Sequence, residues 1–162
     1  MRTYLLGLVL AFIATSAFAE TKDITVKAGG AEALKLSVPT DAEVATKGDK
    51  TTIQTKTLRI YLWPVAKAKK VEDVLPHVGD IIKSEFTDFV VGGTDTITVA
   101  GAEAKHLKGK GAEADDGDPG TADVVIFTTG KHVFVASVHG EKEEAAKERP
   151  DFLTVLKSAK AL

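Results

Sequence analysis

The chain has 162 residues, with 21 basic and 23 acidic side chains, four histidines and no cysteine. The near-neutral balance excludes the basic stripe of a nucleic-acid binder. The lack of cysteine excludes disulfides, thiolate nucleophiles, thiolate metal sites and a lipid-carrying cysteine. One domain with its own core fits this length.

Residues 1–19 read as a secretory signal peptide. Arg2 supplies the positive start, Tyr4 to Ile13 is an apolar run, and Ala17-Phe18-Ala19 is a small-x-small cleavage site before Glu20. The run is shorter than the roughly 20 residues that span a bilayer. Cleavage after Ala19 is expected. It would leave Glu20 to Leu162 as a single domain without a membrane anchor, periplasmic or secreted, in a bacterial setting.

Strands are expected first. Ile24 to Val26 and Leu34 to Val38 alternate around Gly29-Gly30, a hairpin stopped by Pro39. Ala42 to Ala45 is a short strand. After Gly48-Asp49, Thr51 to Trp63 is a long β signal rich in Thr, Ile, Tyr and Trp. Its period of two puts Leu58, Ile60 and Leu62 on one face and Arg59, Tyr61 and Trp63 on the other.

Val71 to Phe89 changes to helical spacing through Val71, Val74, Leu75, Val78, Ile82 and Phe86. Pro76 is tolerated if the helix starts near Asp73. Beyond Gly92-Gly93, Asp95 to Val99 and Ala104 to Lys110 are strands turned at Gly101, the second near an edge. The segment 112–121 is expected as a loop. The lysines at 67, 69 and 70, and at 105, 108 and 110, read as solvated edges.

The strongest hairpin is Ala122 to Thr129 with His132 to His139, joined at Gly130-Lys131. Both parities are apolar in its two strands, which places them inside a sheet covered on both faces. Phe152, Val155, Leu156 and Ala159 form the stripe of a C-terminal helix with Pro150 in its first turn, after a separate short helix over Glu143 to Lys147. The expected fold class is α+β, a mainly antiparallel sheet covered by a central helix and a C-terminal helix.

Three places in this layout carry a resemblance. They are Leu58-Arg59-Ile60-Tyr61-Leu62-Trp63 leading to Val78-Gly79-Asp80-Ile81-Ile82, the strand–glycine–strand unit Ile97 to Ala104, and the Val124 to Val138 hairpin running into Leu156-Lys157-Ser158. The pattern resembles the PsbP-like fold, named for a photosystem accessory protein and shared by small exported bacterial domains. The resemblance implies a non-catalytic accessory or binding domain and assigns no functional residue.

Candidate chemistry is sparse. Ser137 and His139 share a strand face, but no strained turn presents Ser137 as a nucleophile, so a small packed residue is expected. His77, His106, His132 and His139 have no metal-ligand spacing and read as edge or solvent residues. Asp115, Asp116 and Asp118, around Gly117 and with Asp123 beyond, form the metal candidate, with calcium as its ion. The spacing is not that of an EF-hand, and such residues also build ordinary turns, so no cofactor is expected.

Arg59, Tyr61 and Trp63 form the candidate binding surface, because these residue types dominate interface hot spots. If a helix covers that face, Trp63 at the strand end should remain the most exposed of the three. The functional expectation is an exported, non-enzymatic binding domain whose partner is a protein or small molecule. The alternative is a small metal-dependent or hydrolytic enzyme.

Overall fold

The computed structural model describes residues 20–140 and 142–162. The expected signal peptide lies outside them. Ten strands and two α-helices are present among the described residues. Strands β1 (Thr21–Ala28), β2 (Ala31–Pro39) and β10 (Lys160–Ala161) make a small sheet in the order β1-β2-β10. The others are β3 (Glu43–Lys47), β4 (Lys50–Gln54), β5 (Arg59–Pro64), β6 (Phe86–Val99), β7 (Ala102–Glu113), β8 (Pro119–Thr129) and β9 (His132–Gly140). They form one antiparallel sheet in the order β3-β4-β5-β9-β8-β7-β6.

The two parities of the large sheet feed two cores. Ile60, Leu62, Val125, Phe127, Phe134, Ala136 and Val138 face the β1–β2 hairpin and helix α2 (Lys142–Lys157), where Leu34, Leu36, Phe152, Val155 and Leu156 close the cluster. Val124, Ile126, Val133 and Val135 face the other way, against Val71, Val74, Val78 and Ile82. The 122–139 hairpin is therefore internal and doubly covered, as its apolar parities require. The fold class is α+β, with a mostly antiparallel sheet.

Helix α2 is fixed to the sheet by a buried polar cluster. Asp123 of β8 is fully buried and accepts from Arg149 of α2 at both oxygens, Nε–Oδ1 2.6 Å and Nη2–Oδ2 2.7 Å. His106 Nε2 lies 2.6 Å from the same Oδ1. Burial pushes the Asp123 carboxyl up, but the hydrogen bonds from His106 and Arg149 together outweigh it and hold it below its ordinary value.

Several elements depart from the sequence reading. Thr51 to Trp63 is a hairpin of β4 and β5, not one strand. Thr55 N–H donates to Leu58 O (2.8 Å), and Thr57 N–H donates to Thr55 Oγ1, so the threonine closes a turn inside a β-rich run.

Val71 to Phe89 is not one helix. It contains single 3-10 turns at Val71–Asp73 and Leu75–His77, then helix α1 (Val78–Ile82), then the start of β6. Asp73 accepts from the amides of Lys69 and Lys70 and closes the first turn. Pro76 has no N–H to extend a helix from the residues before it. Val71, Val74, Val78 and Ile82 are nonetheless all buried. Their spacing marked a buried face correctly and overstated the length of helix behind it.

Gly92-Gly93 lies within β6, beside a register shift between Val91 and Gly93, and does not end a turn. The expected 112–121 loop shrinks to the short connection between β7 and β8. At the C-terminus, α2 is one helix with Pro150 inside it, not two. The apolar stripe beyond Pro150 packs on the sheet.

Candidate functional site

One end of the large sheet carries a polar cleft, built where β5, β9 and β7 meet the turn before β6. Alternation along β5 sends Ile60 and Leu62 into the core, with Leu58 just before the strand, and leaves Arg59 and Tyr61 on the opposite face. Tyr61 is paired with Ser137 across β5 and β9, which brings His139, two residues on, beside the tyrosine ring. The two rings stack at 5.0 Å with only 7° between their planes.

The Phe86 ring also lies against the imidazole, at 5.3 Å and tilted by 37°. It can lie against the sheet because glycine stands beneath it. A β-carbon at Gly111 would sit 2.5 Å from Phe86 Cε1, and one at Gly120 would sit 3.2 Å from Phe86 Cε2. A hydrogen bond from Ala114 N–H to Glu85 O (3.0 Å) ties the turn before β6 to the end of β7. The resulting cavity measures about 350 Å³, within the range of small-ligand clefts. Gln54, Lys56, Arg59, Ser84 and Glu85 form part of its wall.

His139 is the centre of this arrangement. Its side chain is 5% exposed, and Nδ1 lies 2.9 Å from Glu113 Oε2. Burial pulls its pKa below the ordinary histidine value, against the pull of Glu113 and Glu85, which favour the charged form. A neutral ring that donates Nδ1–H to the Glu113 carboxylate keeps a bare lone pair on Nε2. Among the described residues that atom is buried without a hydrogen-bond partner. Glu85 pairs with Lys50, whose ammonium also lies 5.3 Å from the Tyr61 ring centroid. Burial raises the Tyr61 hydroxyl above its ordinary pKa, with a hydrogen bond to Arg59 acting the other way.

The candidate binding residues are split by this geometry. Arg59 is exposed at the cleft, and Tyr61 is buried in its wall at 8% exposure. Trp63 is half-buried against the cluster of Val71, Val74 and Val78 and does not line the cleft. The expectation that Trp63 would be the most exposed is thus wrong. Trp63 faces Val135 on the inner strand β9, under the 71–82 cover, whereas Arg59 stands at the uncovered end.

Of the aspartates, Asp115 lines the cleft. Asp116 Oδ1 accepts from Asp118 N–H at 2.9 Å and simply closes the turn. Among the described residues, no three His, Cys, Asp or Glu side chains are placed to hold a metal ion. Ser137 is fully buried, and its Oγ is without a hydrogen-bond partner among the described residues, so it makes no Ser–His pair with His139.

His106 and His139 are not edge or solvent residues, as the sequence had implied. Each is buried beside a carboxylate. The same-face spacing of Ser137 and His139 was visible in sequence. Glu113 and Glu85 were not, because only strand register brings them to the imidazole.

Burial of His139 has a consequence for stability. Below its ordinary pKa of about 6.5 the unfolded chain takes up a proton that the folded one, with its lowered pKa, still refuses. Stability should therefore fall as pH drops from about 6.5 toward the lowered value, and this contribution should level off below it. Denaturant unfolding at a series of pH values should show a shallower slope in that window for His139→Phe than for the natural chain. Equal slopes would contradict the assignment.

No family model and no curated protein matches the chain. Among solved structures, cyanobacterial PsbP from Synechocystis sp. PCC 6803 is similar over 94% of this chain and 99% of its own, at 11% identity and a TM-score of 0.55. A Bacteroides thetaiotaomicron protein is similar over 80% of this chain at 14% identity and a TM-score of 0.53, and the chain spans only 45% of that protein's length. LpqN of Mycobacterium tuberculosis, described as involved in cell envelope biogenesis, matches over 87% of this chain and 91% of its own at 14% identity and a TM-score of 0.49. The chain has the PsbP-like fold. Fold alone assigns no activity. No described helix is long and apolar enough to cross a membrane.

Proposed function

We propose that this is an exported, non-enzymatic binding domain that holds a small polar ligand in the cleft between Tyr61, Glu85, Glu113 and His139. The exported setting rests on the leader-like residues 1–19. The observation that carries the binding reading is His139. Its imidazole is buried in the wall of a concave polar cavity, fixed by Glu113 on one nitrogen, with the other nitrogen unpaired. Buried polar atoms are normally satisfied, and an unpaired nitrogen directly behind the wall of a polar cleft marks a place built for more than packing.

Ser84 is exposed on the cleft wall, so a tryptophan there should fill the cavity without entering the core. A library of small polar metabolites should be screened by ligand-observed NMR against the natural chain and Ser84→Trp. The expected result is one or more binders that lose their signal with Ser84→Trp. Binders indifferent to that substitution, or no binder at all, would remove the cleft as the functional site.

A further inference from the structure

We infer that the ligand of this cleft is a small cationic amine, held through its N–H donors by Glu113 and the wall around His139. The inference rests on the binding reading above and adds the ligand's chemistry.

Three observations support it. Four carboxylates, Glu85, Glu113, Asp115 and Glu148, line the cavity with Lys56 and Arg59, and Lys50 pairs with Glu85, which leaves acid in excess by one charge. The groups at its centre are acceptors. The partly exposed Glu113 carboxylate accepts Nδ1–H from His139 and keeps further lone pairs of its own. The burial that keeps His139 uncharged also removes a cation that would repel an amine.

The third observation is an ammonium already in place. Lys50 brings its own ammonium to Glu85 and over the face of Tyr61, both of which line the cleft. A carboxylate beside an aromatic face is a favourable site for such a group. The chain thus satisfies part of this wall with the chemistry assigned to the ligand. A dicarboxylate would instead meet Glu113 and Asp115 at like charge. A neutral diol would leave the charge complementarity unused.

The test is calorimetric titration of the domain with three probes of similar length, the diamine putrescine, the dicarboxylate succinate and butanediol. Putrescine should bind at least about tenfold more tightly than the other two. Glu113→Gln should weaken it about tenfold or more, the scale of a lost charge-assisted hydrogen bond. If Glu113→Gln fails to fold, Lys50→Met decides. It releases Glu85 and the Tyr61 face, so putrescine should bind more tightly, and unchanged or weaker binding would overturn the inference.

Preferential or equal binding of succinate or butanediol, or no binding by any probe, would also overturn it. Loss of a succinate or butanediol signal with Ser84→Trp would refute the amine and keep the cleft as a binding site. Failure of the whole metabolite library would refute the cleft itself.

Discussion

Phe134→Ala should destabilise the fold by about 3–5 kcal/mol, the usual range for deleting a buried aromatic ring. Phe134 is fully buried on β9, the central strand of the large sheet. Its ring stacks on Phe127 at 5.7 Å and belongs to the core that α2 and the β1–β2 hairpin cover. The substitution removes the transfer free energy of the ring and leaves a void between layers tied by β-sheet hydrogen bonds, which limits collapse. Equilibrium denaturation measures the cost. A loss below about 1 kcal/mol would mean that this face of β9 is open.

Asp123→Ala should cost a similar amount, about 3–5 kcal/mol, for a different reason. Asp123 holds His106 and Arg149 together between the sheet and α2. Its removal leaves the buried His106 without this carboxylate and frees the Arg149 guanidinium that ties the helix to the sheet. Arg149 is partly exposed and can rehydrate, so the larger share of the cost falls on His106 and on the lost docking. The triple substitution Asp123→Leu, Arg149→Met and His106→Leu should recover much of the loss, since apolar replacement of a whole buried ionic cluster is often near neutral. A triple variant no better than Asp123→Ala would show that the cluster acts through packing and not through charge pairing.

The fold was legible where burial alone determines structure. Residues 122–139 are apolar on both parities, and a strand of that kind has one place to go, inside a sheet covered on both sides. The alternation of Leu58, Ile60 and Leu62 against Arg59, Tyr61 and Trp63 likewise followed from the pleat. The 71–89 segment misled because a buried stripe at helical spacing is equally satisfied by successive short turns. Pro76 and the Asp73 cap select the turns.

The cleft was less legible for a geometric reason. Tyr61, Glu85, Glu113 and His139 lie far apart in sequence and meet through the pairing of Tyr61 with Ser137, the pairing of Phe86 with Glu113, and the hydrogen bond from Ala114 to Glu85. None of these registers is encoded in local periodicity. Arg59 and Tyr61 were marked by residue type alone, and Trp63, marked by the same criterion, packs elsewhere.

Backbone amide NMR of the isotope-labelled domain, titrated with the tightest binder from the metabolite screen, tests the cleft most directly. The shifted resonances should cluster at Arg59, Tyr61, Glu85, Glu113 and His139. Shifts concentrated instead on the exposed stretch of β6 around Val90 and Val91, with the cleft unmoved, would contradict the assignment.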